Sequence, residues 1–228
     1  MQAAIQAFEA RLTEVEQFIK FVRHMQKSKF IGSPELIKGD QQFVPMLKAC
    51  VFILLYNVIE SCVRSSFSAI YDDIKLGNTK FDGTTPELRK IWLIQQLDAH
   101  IAVTSANRDS YINAVSTIAS HIASSAVLEF NPRALPISGN LDAQKIRELC
   151  NRHGVNLTVS RWAKGGIELD TIKTKRNALA HGHISFVECG REYGLDDLER
   201  MHKQTKHFLR GFLTSLSTYT KSLGFKAA

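Results

Sequence analysis

The stretch ACVFILLYNVIESCV, residues 49–63, is the longest apolar run in the chain, and its reading decides the fold. Asn57 and Glu60 interrupt it. It therefore falls short of the roughly 18 to 20 apolar residues that a membrane-spanning helix requires. Between Cys50 and Ile59 it is apolar almost all round, as a helix is when other helices surround it. The run predicts the middle of a long helix over residues 43–76, at the centre of a helical bundle.

Outward from that helix, the chain reads as helices separated by turn-rich connections. Toward the N-terminus, Ile5, Phe8, Leu12, Val15, Ile19 and Val22 recur in steps of three and four, predicting an amphipathic helix over residues 3–27. Gly32, Pro34 and Gly39 predict a loop over 30–42. Toward the C-terminus, Thr85 and Pro86 open a helix over 86–97, and a weaker helical pattern covers 108–128. Residues 131–139 read as a loop. Asn140 is the expected cap of a helix over 141–153, which Gly154 ends. VNLTVSRW (155–162) suits a short strand or an extended connector. A helix from Gly166 stops at Gly182, residues 183–194 form a loop, and the three-and-four pattern from Leu195 to Leu223 predicts a final helix. The fold class is thus mainly α: an up-and-down bundle with an N-terminal amphipathic helix and inserted loops and short helices. One helical domain over 1–228 is expected, with a helix and loop at 1–42 and a core at 43–223.

Apolar residues make up 44% of the chain and charged residues 22%, the balance of a globular protein rather than a disordered one. The N-terminal MQAAIQAFEARLTEVE lacks a basic region followed by an apolar one, so no secretory signal is expected and the cytoplasm is the default location. The four cysteines Cys50, Cys62, Cys150 and Cys189 form no CxxC pair and predict neither disulfides nor a structural zinc site. A net charge of +7 favours a polyanionic partner. Arg161, Lys164, Lys173, Lys175 and Arg176 concentrate the excess between residues 161 and 183, against Glu168 and Asp170. These cations are candidate RNA contacts, although a solvated basic helix face would look the same.

The segment TKRNALAHGH (174–183) carries the most chemistry. Arg176 and His181 are five apart, so on an ideal helix they diverge by about 140°. They serve one ligand only if the helix ends near the histidine, and Gly182 supplies that ending. Asn177 and His181 are four apart and share a face. Histidine, which titrates near neutral pH, suits proton transfer at a 2′-hydroxyl or a leaving oxygen. Arginine offers a planar fork for phosphate oxygens. With a 2′-hydroxyl as nucleophile no metal or other cofactor is needed, and the products are a 2′,3′-cyclic phosphate and a 5′-hydroxyl. Taken alone, Arg-x4-His is a weak pattern, equally compatible with a surface arginine and a helix-capping histidine.

RNALAHG near the end of a late helix resembles the HEPN superfamily of ribonucleases and nucleotide-binding domains. Arg176, Asn177 and His181 each match that family's Arg-polar-…-His signature. YNVIESCVRSSF (56–67) supplies the upstream glutamate that accompanies it, Glu60, with Asn57 and Arg64 on neighbouring turns. IRELCNRHGVNL and LDTIKTKRNALAHG look like HEPN nucleases of bacterial toxin and phage-defence loci. The resemblance covers residues 43–223, but only the Arg-Asn-x3-His core is specific. It implies a metal-independent endoribonuclease with Arg176, Asn177 and His181 as catalytic residues and Glu60 and Arg64 in support; His183 either assists His181 or is a loop histidine satisfied by backbone. It also implies a homodimer whose two copies complete one RNA-holding cleft, with a cognate antitoxin or inhibitor protein as a further partner. A non-catalytic HEPN module that binds RNA or nucleotide, or mediates assembly, is the alternative; a bundle whose basic face docks an acidic protein is a third.

Other residues carry weaker expectations. Glu60, inside a buried stretch, needs a partner and should pair with Arg64 or Arg176. His181, His183 and Cys189 have no recognised zinc spacing. His202 falls in the apolar seam of the last helix and reads as a core or interface residue. Trp92 and Trp162 read as core or edge residues, and Trp162, beside Arg161 and Lys164, has the surroundings to stack a base.

Overall fold

The computed structural model describes residues 1–27, 34–103, 108–137 and 139–227. Among them are eight α-helices and no strand: α1 (Gln2–Lys27), α2 (Pro34–Leu76), α3 (Pro86–Val103), α4 (Arg108–Ala123), α5 (Ala143–Arg152), α6 (Ile167–Ala180), α7 (Phe186–Arg191) and α8 (Leu195–Lys221). Short 3₁₀ segments lie at Pro132–Ala134 and Arg161–Gly166.

α2 is the axis of the bundle. Phe52, Leu55, Tyr56, Ile59, Val63, Phe67, Ile70 and Ile74 are wholly buried along it. Each such side chain contributes roughly 1.5–3 kcal/mol through the area it removes from water. By length and composition the stretch Gln42–Leu76 would suffice to cross a membrane, although the interrupted run at its centre predicted otherwise. Here its apolar residues are the middle of the core, with α1, α6, α7 and α8 packed around them.

The α1 seam forms as predicted, with Phe8, Leu12, Val15, Ile19 and Val22 buried. α1 runs antiparallel to α8: Glu9 pairs with Arg210 at 2.9 Å, and Arg23 pairs with Asp196 and Glu199 at 2.8 Å. His202 is buried between them, its Nε2 3.3 Å from the Leu12 carbonyl, as expected of a seam histidine. α1 shares one continuous core with α2, α3, α5, α6, α7 and α8.

Several boundaries differ from the sequence reading. The loop expected over 30–42 is helical from Pro34 onward, while residues 28–33 lie outside the described residues. Proline is tolerated at the first helical position, where its missing N–H had no partner to lose. Pro45, further in, faces α7, itself a short helix inside the predicted 183–194 loop. There Ser185 accepts from the Glu188 N–H while Glu188 accepts from the Ser185 N–H, a capping box that starts the helix even though Gly190 lies within it. Asp142, not Asn140, caps α5, accepting from the Lys145 N–H at 2.8 Å. The helix expected to reach residue 128 ends at Ala123. Of VNLTVSRW, residues 155–160 pair with no strand among the described residues and form an extended connector laid antiparallel to α8, with the Thr158 N–H on Ser215 Oγ at 3.0 Å, while Arg161 and Trp162 open the 3₁₀ segment.

A buried polar knot ties this connector's start to α2. His153 Nδ1 lies 2.7 Å from the Leu149 carbonyl, which can only accept, so Nδ1 carries the proton and Nε2 accepts from the Tyr71 hydroxyl at 2.8 Å. The Tyr219 hydroxyl donates to the His153 carbonyl at 2.9 Å. Burial brings the His153 pKa down to about 4, so the ring is neutral in the folded protein at pH 7.

Candidate functional site

α6 ends where its sequence says it should. Gly182 has φ +70°, the left-handed conformation that closes helices. The His183 N–H donates to the Ala178 carbonyl at 2.8 Å, and the Gly182 N–H donates to the Leu179 carbonyl at 3.2 Å. That pair of bonds is a Schellman closure, and it fixes the backbone of both His181 and His183. Their imidazoles are exposed, with ring centroids 5.8 Å apart.

Arg176, one turn and a half earlier, is half-buried and held by neutral groups. Its guanidinium lies 4.2 Å from the centroid of the Tyr56 ring. Nη1 donates to Asn177 Oδ1 at 2.8 Å and, at 3.5 Å, to the Gly139 carbonyl. Asn177 Nδ2 donates onward to Asn140 Oδ1 at 2.9 Å. The Asn177 amide is therefore committed to Arg176 and Asn140, rather than meeting His181 across one helical turn.

α2 supplies the opposite wall. Tyr56, Glu60 and Arg64 follow one another at i, i+4 and i+8 on a single face. Glu60 pairs with Arg64 at 2.9 Å, one of the two partners expected for it, and Arg64 Nη2 donates to the Ile137 carbonyl at 2.5 Å. The Tyr56 hydroxyl accepts the Leu141 N–H at 3.2 Å. Burial pushes that hydroxyl above its ordinary pKa, the nearby Glu60 carboxylate adds to the rise, and Arg176 opposes it. α2 thus holds both sides of the connection before α5, and that connection holds Arg176 and Asn177.

The predicted RNA-contacting cations divide into two kinds. Lys173 bridges Asp142 and Asp170, both at 2.7 Å, and Lys175 pairs with Glu192 and lies over the Tyr193 ring. These carboxylates raise both ammonium pKa values. Burial alone would raise the Asp142 carboxyl, but Lys173 and the Lys145 N–H hold it below the ordinary range. Both lysines are therefore neutralised within the chain. Arg161 and Lys164 are exposed in the 3₁₀ segment and have no carboxylate partner among the described residues.

The sequence reading gives no site role to Tyr56 or Gly139, and it gives Asn140 only the role of a helix cap. Tyr56 was findable, since it lies one helical turn before Glu60; the two loop residues carried no periodic signal. Cys189 is buried in α7 while His181 and His183 face solvent, and no metal-holding group of three His, Cys, Asp or Glu forms among the described residues.

The structure thus gathers Arg176, Asn177, Tyr56, Glu60 and Arg64 about the connection before α5, while the His181 and His183 rings meet each other and make no hydrogen bond or ion pair with that group among the described residues. Comparison with curated proteins and with solved structures gives no match. The MAE_28990-like HEPN family matches residues 2–223, taking in α1 as well as the core, and the chain belongs to the HEPN superfamily.

Proposed function

We propose that the protein is a metal-independent endoribonuclease acting as a homodimer, a toxin or phage-defence effector restrained by a cognate antitoxin. HEPN membership supports a ribonuclease or a nucleotide-binding module. One observation carries the catalytic reading. Arg176 is fixed by an aromatic ring, an amide oxygen and a carbonyl, so its charge is held in place without being cancelled. Among the described residues only its Nη1 is bonded, which leaves the three N–H donors of Nε and Nη2 for a phosphate.

In the reaction, His181 of one copy takes the proton of the RNA 2′-hydroxyl as that oxygen attacks the adjacent phosphorus. His181 of the second copy gives a proton to the departing 5′-oxygen. Arg176 stabilises the charge gathering on the phosphoryl oxygens. The P–O5′ bond breaks, leaving a 2′,3′-cyclic phosphate and a 5′-hydroxyl. His183, Glu60 and Arg64 support the site. The test is cleavage of RNA by purified protein in EDTA, beside His181→Ala. Loss of cleavage with an unchanged circular dichroism spectrum is expected; unchanged cleavage overturns the assignment.

A second reading, a non-catalytic module that binds RNA or nucleotide or mediates assembly, draws on the commitment of Asn177 to Arg176 and Asn140. Tight RNA binding by the wild-type protein with no cleavage in any buffer would favour it.

A further inference from the structure

The 3₁₀ segment Arg161–Gly166 leaves a large aromatic side chain in solvent on a rigid mount. Trp162 is 59% exposed, and Ile167 beside it is 69% exposed. The backbone beneath is anchored. Ala163 and Gly166 are buried, and a Cβ on Gly166 would stand 2.6 Å from the Ala143 Cβ and 2.7 Å from the Phe208 ring. Ser160 Oγ accepts the Trp162 N–H at 3.2 Å. Arg147, stacked on Phe208, donates to the Gly165 carbonyl at 3.1 Å. Lys164 holds φ +48°, a conformation that a lysine keeps only where its surroundings impose it.

The charge around this platform is one-sided. The Arg161 guanidinium lies 4.9 Å from the Trp162 ring centroid. Arg161 and Lys164 lack carboxylate partners among the described residues, and the nearby Glu168 is buried and bound to Arg200. An exposed aromatic face flanked by unneutralised cations suits a ligand that alternates flat rings with phosphates. A preorganised platform also loses little entropy when a base settles on it.

We propose that Trp162, with Arg161 and Lys164, is a base-stacking subsite for single-stranded RNA, at the far end of α6 from His181. The proposal rests on the ribonuclease reading of the α6 terminus. The fourteen steps from Ile167 to His181 rise about 21 Å, or about six stacked nucleotides. A twelve-nucleotide RNA therefore reaches both places, and a dinucleotide reaches only His181.

The test uses the full chain. Trp92 is 2% exposed against Phe81 and His121, so Trp162 is the solvent-facing indole and reports on the subsite by its fluorescence. In a His181→Ala background, a twelve-nucleotide oligouridine should quench the emission saturably, and an abasic strand of equal length should bind about tenfold more weakly. Trp162→Ala should weaken oligouridine binding about tenfold while Trp162→Phe retains most of it. In the active protein, Trp162→Ala should lower kcat/KM about tenfold for the twelve-nucleotide substrate, through KM, and leave dinucleotide cleavage unchanged. Equal losses on both substrates, equal binding of abasic and uridine strands, or full affinity in Trp162→Ala would each overturn the subsite. An acidic peptide that quenches Trp162 where RNA does not would overturn it in favour of a protein partner. If the wild type cleaves nothing but the quench and its Trp162 dependence stand, the ribonuclease reading fails and the RNA subsite survives.

Discussion

Replacing Gly182 by alanine separates the geometry of the α6 terminus from its chemistry. An added Cβ meets nothing within 4 Å, so no collision contributes. The cost is the backbone conformation alone: φ +70° burdens an L-residue by about 1–2 kcal/mol. Part of this returns because alanine also restricts the unfolded chain, leaving a net loss of about 1 kcal/mol, or roughly 2–4 °C in Tm for a chain of this size. The chain relieves the strain by opening the closure, which releases the His183 N–H from Ala178 and the Gly182 N–H from Leu179 and lets both imidazoles drift. Cleavage should then fall roughly tenfold or more at 25 °C, where the variant is still folded, because a displacement near 1 Å is costly to positioned catalysis. Gly182→Asn, which tolerates the left-handed region, should recover most of both losses. Urea unfolding followed by circular dichroism, with a fluorogenic RNA assay on the same samples, measures the two together. A Gly182→Ala protein with the wild-type midpoint would refute the argument. So would Gly182→Asn regaining stability without regaining activity.

Three further outcomes follow from the described contacts. Gly190→Ala should cost roughly 3 kcal/mol or more in urea unfolding, because its Cβ would overlap the Pro45 carbonyl and reach 2.9 Å from the Pro45 Cα, backbone with no side-chain freedom to yield. His153, with a pKa lowered to about 4 from 6.5, remains neutral in the fold while the unfolded chain takes up a proton. Its contribution is complete above pH 6.5 and should fade by about 3 kcal/mol as pH drops toward 4; His202, lowered by burial as well, acts in the same direction, and His153→Gln should flatten the urea-midpoint slope across that window. Tyr56→Phe keeps the ring under Arg176, whereas Tyr56→Leu removes it. At a half-buried cation this contact is worth about 1 kcal/mol, so the leucine variant should lose about fivefold in kcat/KM beyond the phenylalanine variant, and equal activities would remove Tyr56 from the site.

The sequence carried the periodic features well. The heptad-like seam of α1, the apolar centre of α2 and the glycine stop after His181 each follow from local rules that tertiary packing does not overturn. Legibility failed where a contact distant in sequence decides the matter. Lys175 reads as a free cation because Glu192 lies 17 residues away and nothing local announces the pairing; Lys173 has a legible partner three residues before it in Asp170, and only its second partner, Asp142, 31 residues away, is hidden from the sequence. The helix at Pro34 looks like a loop in sequence because proline breaks a helix interior yet suits its first turn, and composition alone does not locate the first turn. Asn140 has the sequence position of a cap because it precedes the apolar pattern of α5; Asp142 takes that role, and Asn140 turns to Asn177 instead.

The contacts of Glu60 bear on why an upstream helix accompanies the motif. Glu60 orients Arg64, Arg64 grips the Ile137 carbonyl, and the Tyr56 hydroxyl grips the Leu141 N–H. Between those two anchor points, the Gly139 carbonyl and the Asn140 side chain receive Arg176 and Asn177. This is a closed circuit from α2 through the connection to α6 and back by the Tyr56 ring. Within it Glu60 acts at a distance: its charge is answered by Arg64, and its effect is to hold the connection that aims Arg176. The same circuit accounts for the contrast between the cations on α6. Those bound to carboxylates give up their charge to the fold, while Arg176 is gripped by an aromatic face, an amide and a carbonyl, which fix its position and leave its charge without a carboxylate partner among the described residues.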